Sequence, residues 1–433
     1  MLVVPQDRRR EWYRYHHLLR ELLQAELRRS EPELIVELNA RAADWYEGNG
    51  MPEAAIGHAE AAGDFDRAAR LVLELAQPVW ASGRVETVLH WMESLRSRPG
   101  VRHYGAIAAH GSLIFALLGR AGEAERWAEA AERAASDEAL PDGNTMDGTL
   151  AYLRANLLRS GPQAARADAR RALAGLGPDS PYRATMLYTY ALSYLLDGEP
   201  DRAEPRLAHA HEVAHAAGAL PLAALILAER CIIAAGRDDW ADVTRFSHRA
   251  LSIVTEGGFE QYWTSALVFA WAARAAAHHA DMVAARKHLT RAVRLRPLLT
   301  YALPAVSVQT LLEMAHCYIA LGDAPGARAV LAQADDILQQ RPQLGTLTES
   351  ARELRARLAR LTRAPGGASA LTAAELRVLP LLATHLSVRE IGNHLVVSEH
   401  TVKSHTQAIY QKLGVSSRSA AVARSRELGL ADL

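Results

Sequence analysis

His211 and His215 stand four residues apart in the string "HEVAHAAG" (211 to 218), with Glu212 between them, and this spacing is the signature of a zinc hydrolase. On a helix both imidazoles would project from one face to hold the metal while Glu212 activated a bound water. A working site needs a third ligand. The position that would supply a third His is Pro221, and the next acid, Glu229, follows only after the turn "GALP". With 18 His in the chain, such a motif arises by chance about once in twenty sequences of this kind. The histidines are therefore read as packing or surface groups, with no metal and no other cofactor expected. Further candidates have equally plain explanations. His16 with His17, and His278 with His279, point to different helix faces. Asp238 and Asp239 precede a helix and suit its N-terminal dipole. Cys231 and Cys317 read as buried free thiols in a reducing cytoplasm. No nucleophile elbow or glycine-rich cofactor turn occurs, so no enzyme is expected.

What would carry these residues is a helical array. Hydrophobic residues make up 49% of the 433 and charged ones 23%, so core material is ample. The formal net charge of +0 excludes a protein that seeks polyanions with its whole surface. Only three Lys occur, Lys287, Lys403 and Lys412, so the basic residues are nearly all Arg. The longest apolar run, "YWTSALVFAWAA" (262 to 273), stops at Arg274, short of a membrane span, and the first residues carry no export signal. One phrase recurs: a helix ends, a Gly or small polar cluster follows, and a second helix opens on Ala or Val. It is found in "LLGRAGEA", "LRSGPQAA", "LLDGEPDRA", "IAAGRDDWADV", "AHHADMVAA" and "IALGDAPGA". Anchored on Ala124, Ala164, Ala203, Val243, Ala284 and Ala327, the spacings are 40, 39, 40, 41 and 43. Two helices per unit of about 40 residues define an α-solenoid, because each pair must bury its apolar face against its neighbours. In that register His211 falls over Ala250 and His215 over Val254. The helix-turn-helix grammar resembles tetratricopeptide repeats, with longer units and few of their aromatics.

After the charged helix "ESARELRARLARL" (349 to 361), "TRAPGGASA" (362 to 370) combines Pro and paired Gly and reads as a linker. The last 63 residues then form their own unit. Thr372 with Glu375 makes a capping box for a helix carrying Leu376, Leu379 and Leu382, and Ser387 with Glu390 opens a short one burying Ile391 and Leu395. "VVS" is a tight turn, and Ser398 or Glu399 starts a third helix. Wound at about 100° per residue, Val402, Thr406, Ile409 and Leu413 share one side, while His400, Lys403, Ser404, Gln407 and Gln411 share another. The second stripe has the side-chain types that read base edges in a major groove: Lys for guanine, Gln for adenine, Ser for either.

"LTAAELRVLPLLA", "LSVREIGNHLVVSEHTVKSH" and "IYQKLGVSSRSAAV" resemble the LuxR-type helix-turn-helix, over essentially all of 371 to 430. The resemblance implies a four-helix DNA-binding domain whose third helix enters the major groove and whose last, from about Ser417 to Leu428, can pair two copies. It also implies that Lys403, Ser404 and Gln407 face bases, that Thr401, His405 and Arg418 contact phosphates, and that Lys412 is a further phosphate candidate. The chain departs from the family pattern at Gly392, where Ala is commoner, and at Pro380 within the first helix. Seven Lys or Arg against five acids in 371 to 433 give a weak electrostatic footprint, so binding is expected to need dimerisation or several copies and to fall with salt.

The front of the chain, "WYRYHHLLRELLQAELRR" (12 to 29) followed by residues 38 to 72, resembles the junction between ATPase module and helical sensor in MalT-like, large ATP-binding LuxR regulators. The dipeptide Gly-Lys occurs nowhere, so no phosphate loop of the G-x-x-x-x-G-K type can form and no ATP binding by this chain is expected. The fold expected is all-α: a helical remnant of an upstream module (1–31), a tetratricopeptide-like solenoid (32–361), a linker (362–370) and a LuxR-type domain (371–433). The function expected is a cytoplasmic transcription regulator that binds double-stranded DNA as a homodimer, contacts RNA polymerase by family resemblance, and senses a small molecule or protein on the solenoid's concave surface. The alternative is an interaction scaffold whose head binds DNA unproductively, with the zinc hydrolase a distant third.

Overall fold

The computed structural model describes residues 3–5, 13–81, 84–98, 100–134, 140–141, 143–177, 180–362, 371–395 and 397–427. Apart from Thr362, the expected linker lies outside these residues, as does the end of the last helix beyond Glu427. The chain opens on a two-stranded antiparallel ribbon, β1 (Val3–Pro5) and β2 (Tyr13–Tyr15), rather than on helix alone. Aromatic and β-branched residues dominate both strands, and that favours extended backbone. Helices follow: α1 (His17–Ser30), α2 (Pro32–Gly48), α3 (Pro52–Ala62), α4 (Phe65–Ala81) and α5 (Val85–Leu95).

Six hairpins of the expected kind come next, and each of the six recurring phrases lies at a hairpin turn. They are α6 (Tyr104–Leu117) with α7 (Ala121–Arg133), α8 (Met146–Leu157) with α9 (Gly161–Gly175), and α10 (Arg183–Leu196) with α11 (Pro200–Ala216). The array continues with α12 (Leu220–Gly236) and α13 (Trp240–Glu256), α14 (Ser265–His278) and α15 (Met282–Arg294), and α16 (Pro304–Ala320) and α17 (Ala324–Gln340), and α18 (Thr346–Thr362) ends it. The turns need a left-handed residue, supplied by Gly119, Gly198 and Gly322 but elsewhere by Leu158, Asp238 and Ala280. Asp239, Asp281 and Asp323 then cap the outer helix, each accepting a backbone N–H three residues on. Four anchors are buried as expected, Ala124, Ala203, Val243 and Ala327, but in two units the buried residue is the next one, Ala165 and Ala285.

The two helices of a unit differ in character. Outer helices bury a stripe, as α13 does with Val243, Phe246, Ala250 and Val254. Inner helices are buried all round: Gly105 to Ala116 of α6 and Pro304 to Ala315 of α16 are buried without interruption. The reason is that the array winds on itself and brings remote units together. The Tyr262 hydroxyl donates to the Trp80 carbonyl at 3.3 Å, and Arg341 pairs with Glu125. Gly345 has φ +58°, and a Cβ there would lie 2.0 Å from the Leu196 carbonyl oxygen, so only glycine fits this crossing. On their inner side these helices wall a cavity.

Burying the inner layer encloses an acid. Glu229 on α12 is 0% exposed and accepts from the Tyr188 hydroxyl and the Gln309 amide, both at 2.8 Å. Burial pushes its carboxyl up to about 7, against the two hydrogen bonds that favour the charged form. A raised acid binds its proton in the folded state while the unfolded chain has released it, so stability falls as pH rises from about 4.5 to about 7 and is flat above. The contribution is on the order of 3 kcal/mol. Glu229→Gln should remove most of that slope, read from chemical unfolding midpoints between pH 5 and pH 8; parallel pH profiles for variant and wild type would show that Glu229 is not its source.

The histidines of the opening motif part company here. His211 is buried with Nδ1 3.2 Å from the Ala223 carbonyl, while Glu212 and His215 are exposed. His215 thus departs from buried Val254, its counterpart in the repeat register. His278 stacks on Trp240 with ring centroids 3.7 Å apart, and His279 meets the Thr244 hydroxyl. Cys231 and Cys317 are both buried and free.

Candidate nucleic-acid interface

The C-terminal unit consists of α19 (Ala373–Leu382), α20 (Val388–Leu395), α21 (Glu399–Leu413) and α22 (Arg418–Glu427). Both capping boxes form as the sequence demands. Glu375 N–H donates to Thr372 Oγ1 while Thr372 N–H donates to Glu375 Oε2, and Ser387 with Glu390 repeats the arrangement. Pro380 sits in the last turn of α19, which runs unbroken to Leu382. The core is small: Val378, Leu379, Leu381, Leu382, Ile391, Val402 and Ile409, all nearly inaccessible. Gly392 meets the turn at close quarters, its carbonyl accepting from Val397 N–H at 2.9 Å, and a Cβ would stand 2.9 Å from the Val397 carbonyl oxygen. In this chain the turn closes tightly over a bare α-carbon.

Ser398 caps α21, accepting from Thr401 N–H at 3.1 Å, so the third helix starts at a fixed point and angle. Val402 and Ile409 are fully buried, with Thr406 and Leu413 half-buried beside them. His400, Lys403, Ser404, Gln407 and Gln411 are all exposed along one face. Lys403 Nζ rests 2.8 Å from Glu399 one turn back, with both side chains at least half exposed. Such surface pairs are weak, so Lys403 can exchange this carboxylate for another acceptor at little cost.

The four residues expected at phosphates are placed differently. Thr401 and His405 are half-buried on a third stripe of α21, with the Thr401 hydroxyl 2.7 Å from that of Ser398. Lys412 shares that stripe and donates to both oxygens of Glu375, at 2.9 and 2.7 Å, with side-chain exposures of 18% and 6%. Burial alone would raise the Glu375 carboxyl, but the Lys412 ammonium and the bonds from Thr372 outweigh it and hold it below the usual range. Arg418 turns inward too: its guanidinium donates to the carbonyls of Leu382, Thr384 and Leu381 at 2.9, 2.7 and 3.3 Å, satisfying the end of α19 with a positive charge. In the DNA-free chain these two cations therefore brace the domain from within. Arg418→Ala should speed amide hydrogen exchange across α19 in the DNA-free protein, by a factor matching a loss of about 1–3 kcal/mol. A purely DNA-contacting Arg418 would leave that exchange unchanged. Arg389, not among the residues expected at DNA, is exposed in the first turn of α20 and near enough to Glu399 to help hold that carboxyl down, after the larger effect of Lys403. Its signal was its place two residues after the Ser387 cap.

A capped short helix, a tight turn and a longer helix turning a polar stripe to solvent define a helix-turn-helix DNA-binding unit. The family model for bacterial regulatory proteins of the luxR family matches residues 369–425, and that for the MalT winged helix domain matches residues 1–35. The spore germination protein GerE of Bacillus subtilis is 40% identical over 63 residues, 14% of this chain and 85% of GerE. The chain belongs to the LuxR family of bacterial regulatory proteins. The probable transcriptional regulatory protein NarL of Mycobacterium tuberculosis is 44% identical over 70 residues, 16% of this chain and 32% of NarL, so the chain spans about a third of that relative. The serine/threonine-protein kinase PknK of the same organism is 30% identical over 199 residues, 45% of this chain and 16% of PknK. Among solved structures, BtubC from P. vanneervenii overlaps 54% of this chain and 90% of its own at 19% identity, with a TM-score of 0.31 that carries no weight for the fold. No helix among the described residues is long and apolar enough to cross a membrane.

Proposed function

We propose that this chain binds specific double-stranded DNA sites through α21, as a homodimer, and that its repeat array senses an effector and so sets promoter engagement, with RNA polymerase as the downstream partner. In this reading Lys403, Ser404 and Gln407 read base edges, with His400 and Gln411 at the margins, and Thr401, His405 and Arg389 lie near the backbone. The units are 1–31, 32–361 and 371–433, with the linker between the last two. The observation that carries the reading is the single exposed face of α21, made of one cation, amides and a hydroxyl, on a helix whose start is fixed by Ser398. With Lys412 and Arg418 engaged inside the domain, few cations remain for phosphates, which is why one copy would bind weakly and two are invoked.

The test is an anisotropy titration of the full chain on labelled duplex from the promoter region of its own gene, in excess competitor DNA. Saturable binding that survives the competitor and tightens with protein self-association is the expected result. Binding that competitor abolishes, or none at all, would favour a helical interaction scaffold with a silent head.

A further inference from the structure

The outer helix α15 carries charge of one sign only. Arg286, Lys287, Arg291 and Arg294 stand on its 13 residues without an Asp or Glu, whereas every other outer helix of the six hairpins holds at least one acid. Elsewhere on the outer layer cations find carboxylates, as Arg166 does with Asp197, Arg202 with Glu199 and Arg245 with Asp242. Among the described residues only Arg291 of the four on α15 has such a partner, Glu260 at 3.6 Å. Arg286, Lys287 and Arg294 are exposed. Wound at about 100° per residue, Lys287 and Arg294 fall on one stripe and Arg286 borders it. A helix dipole favours cations in the last turn, which accounts for Arg291 and Arg294, but its pull does not reach Arg286 and Lys287 in the middle. Lys287 and Arg291, one turn apart, repel each other. The stripe thus costs the free helix some stability and gains when an anion lies on it.

The C-terminal unit lies against this helix. Ala280, at the turn into α15, and Leu361, at the end of α18, pack on its core. A cleft beside the contact is lined by Arg286, Leu289 and Val293 of α15 and by Arg377 of α19. Asp323 is the one acid among the described residues that line it, and its carboxylate caps α17 by accepting from Gly326 N–H at 2.9 Å. Two guanidiniums meet one carboxylate there, so the cleft is net positive and continuous with the stripe. The reading head lacks what this surface offers: Lys412 and Arg418 are turned inward, and neutralised phosphates supply much of the affinity for duplex DNA.

We propose that α15 is a second DNA contact, in which Arg286, Lys287 and Arg294, with Arg377 across the cleft, hold backbone phosphates of duplex flanking the site read by α21. The proposal rests on the DNA-binding reading above. From Arg286 to Arg294 the helix rises about 12 Å, enough to follow about three phosphates of one strand at roughly 3.4 Å of duplex axis each. Phosphate contacts carry no sequence information, so α15 adds affinity and register while α21 keeps the choice of sequence.

The test uses the full-length chain with Arg286→Gln, Lys287→Gln and Arg294→Gln combined. Beside it stands a control in which Arg126, Arg170 and Arg171, exposed on α7 and α9, become Gln. Both variants lose three charges, and only the first loses the stripe. Anisotropy titrations at several salt concentrations use specific and scrambled duplexes, each cut to the half-sites or extended by about two helical turns at either end. Wild type and control should bind the extended duplexes more tightly than the short ones. The stripe variant, with helicity and thermal midpoint as in wild type, should bind both lengths alike. On extended duplex it should be weaker by the same factor for either sequence, about tenfold or more, with a salt slope lower by about 2–3. Wild-type affinity indifferent to duplex length would overturn the proposal without recourse to any variant. So would a control that weakens as much as the stripe variant, or a folded stripe variant that titrates like wild type, which would leave the stripe to an acidic protein surface. Failure of the reading head has a different signature: wild type would prefer no sequence yet keep its dependence on length and on the stripe. Absence of binding to any duplex would overturn both.

Discussion

Lys403→Ala combined with Gln407→Ala reduces affinity for the specific site by about a hundredfold or more, while affinity for unrelated duplex changes little. Each direct base pairing is worth roughly 1–3 kcal/mol of discrimination, so two together amount to roughly 2–6 kcal/mol, a range whose middle lies well above a hundredfold. Loss of one cation lowers the salt slope of binding by about 1 at most. Both side chains are exposed, and the ion pair Lys403 makes among the described residues is with Glu399 on its own helix, so the fold has little to lose. Titrations of wild type and variant on specific and scrambled duplexes, at two salt concentrations, measure both quantities. A variant that weakened on both duplexes equally would have lost phosphate contacts rather than base readout. One that bound the specific site as tightly as wild type would remove α21 as the reading element.

The second large effect concerns Lys412, and it separates two roles that the sequence leaves together. Lys412→Met strands the Glu375 carboxylate in a nearly closed pocket, and breaking one side of such a pair costs about 3 kcal/mol or more. A four-helix unit built on a handful of buried residues has little stability to spare, so DNA binding should fail on every sequence at once. Glu375→Gln added to Lys412→Met removes the orphaned charge and keeps a residue able to close the capping box with Thr372. The double variant should recover most of the protection of α19 and α21 against hydrogen exchange, and most of the DNA affinity. If Lys412 were a phosphate contact, the single variant would exchange like wild type, bind more weakly with a shallower salt slope, and gain nothing from the second change. The depressed Glu375 carboxyl adds a pH signature of opposite sign to that of Glu229. Its contribution is present above the ordinary carboxylate range and is lost as pH falls through it, so acid should loosen the C-terminal unit while stabilising the array.

Much of this was legible in the sequence because the controlling interactions are local. The capping boxes at Thr372 and Ser387, the Ser398 cap, and the division of α21 into a buried and an exposed stripe all follow from residues three or four apart. Even the burial of Lys412 was within reach, because nine residues at about 100° each carry it to the side opposite Lys403. Being next to a basic helix is not the same as facing outward. What could not be read was which remote groups come alongside. Nothing near Arg418 announces that the end of α19 sits against it, and nothing near Leu225 or Trp263 announces a shared cavity. The repeat period near 40 gives stacking but not winding, and it is winding that brings Tyr262 to Trp80 and Arg341 to Glu125. The strands at Val3–Pro5 and Tyr13–Tyr15 are three residues each, too short for alternation to stand out from the helical pattern that follows. His211 shows the opposite hazard: a motif with a celebrated mechanism whose first histidine faces the Ala223 carbonyl while its second faces away from the core.

The central claim is that α21 reads bases from the major groove and that Lys403 is its guanine-reading cation. Replacing the guanines of the bound site one at a time by 7-deazaguanine removes a major-groove acceptor and leaves pairing and phosphates intact. The account predicts that at one guanine per half-site wild type loses about tenfold in affinity, and that Lys403→Ala, already weaker, loses nothing further there. An equal loss in both proteins, or none in wild type at any guanine, would contradict it.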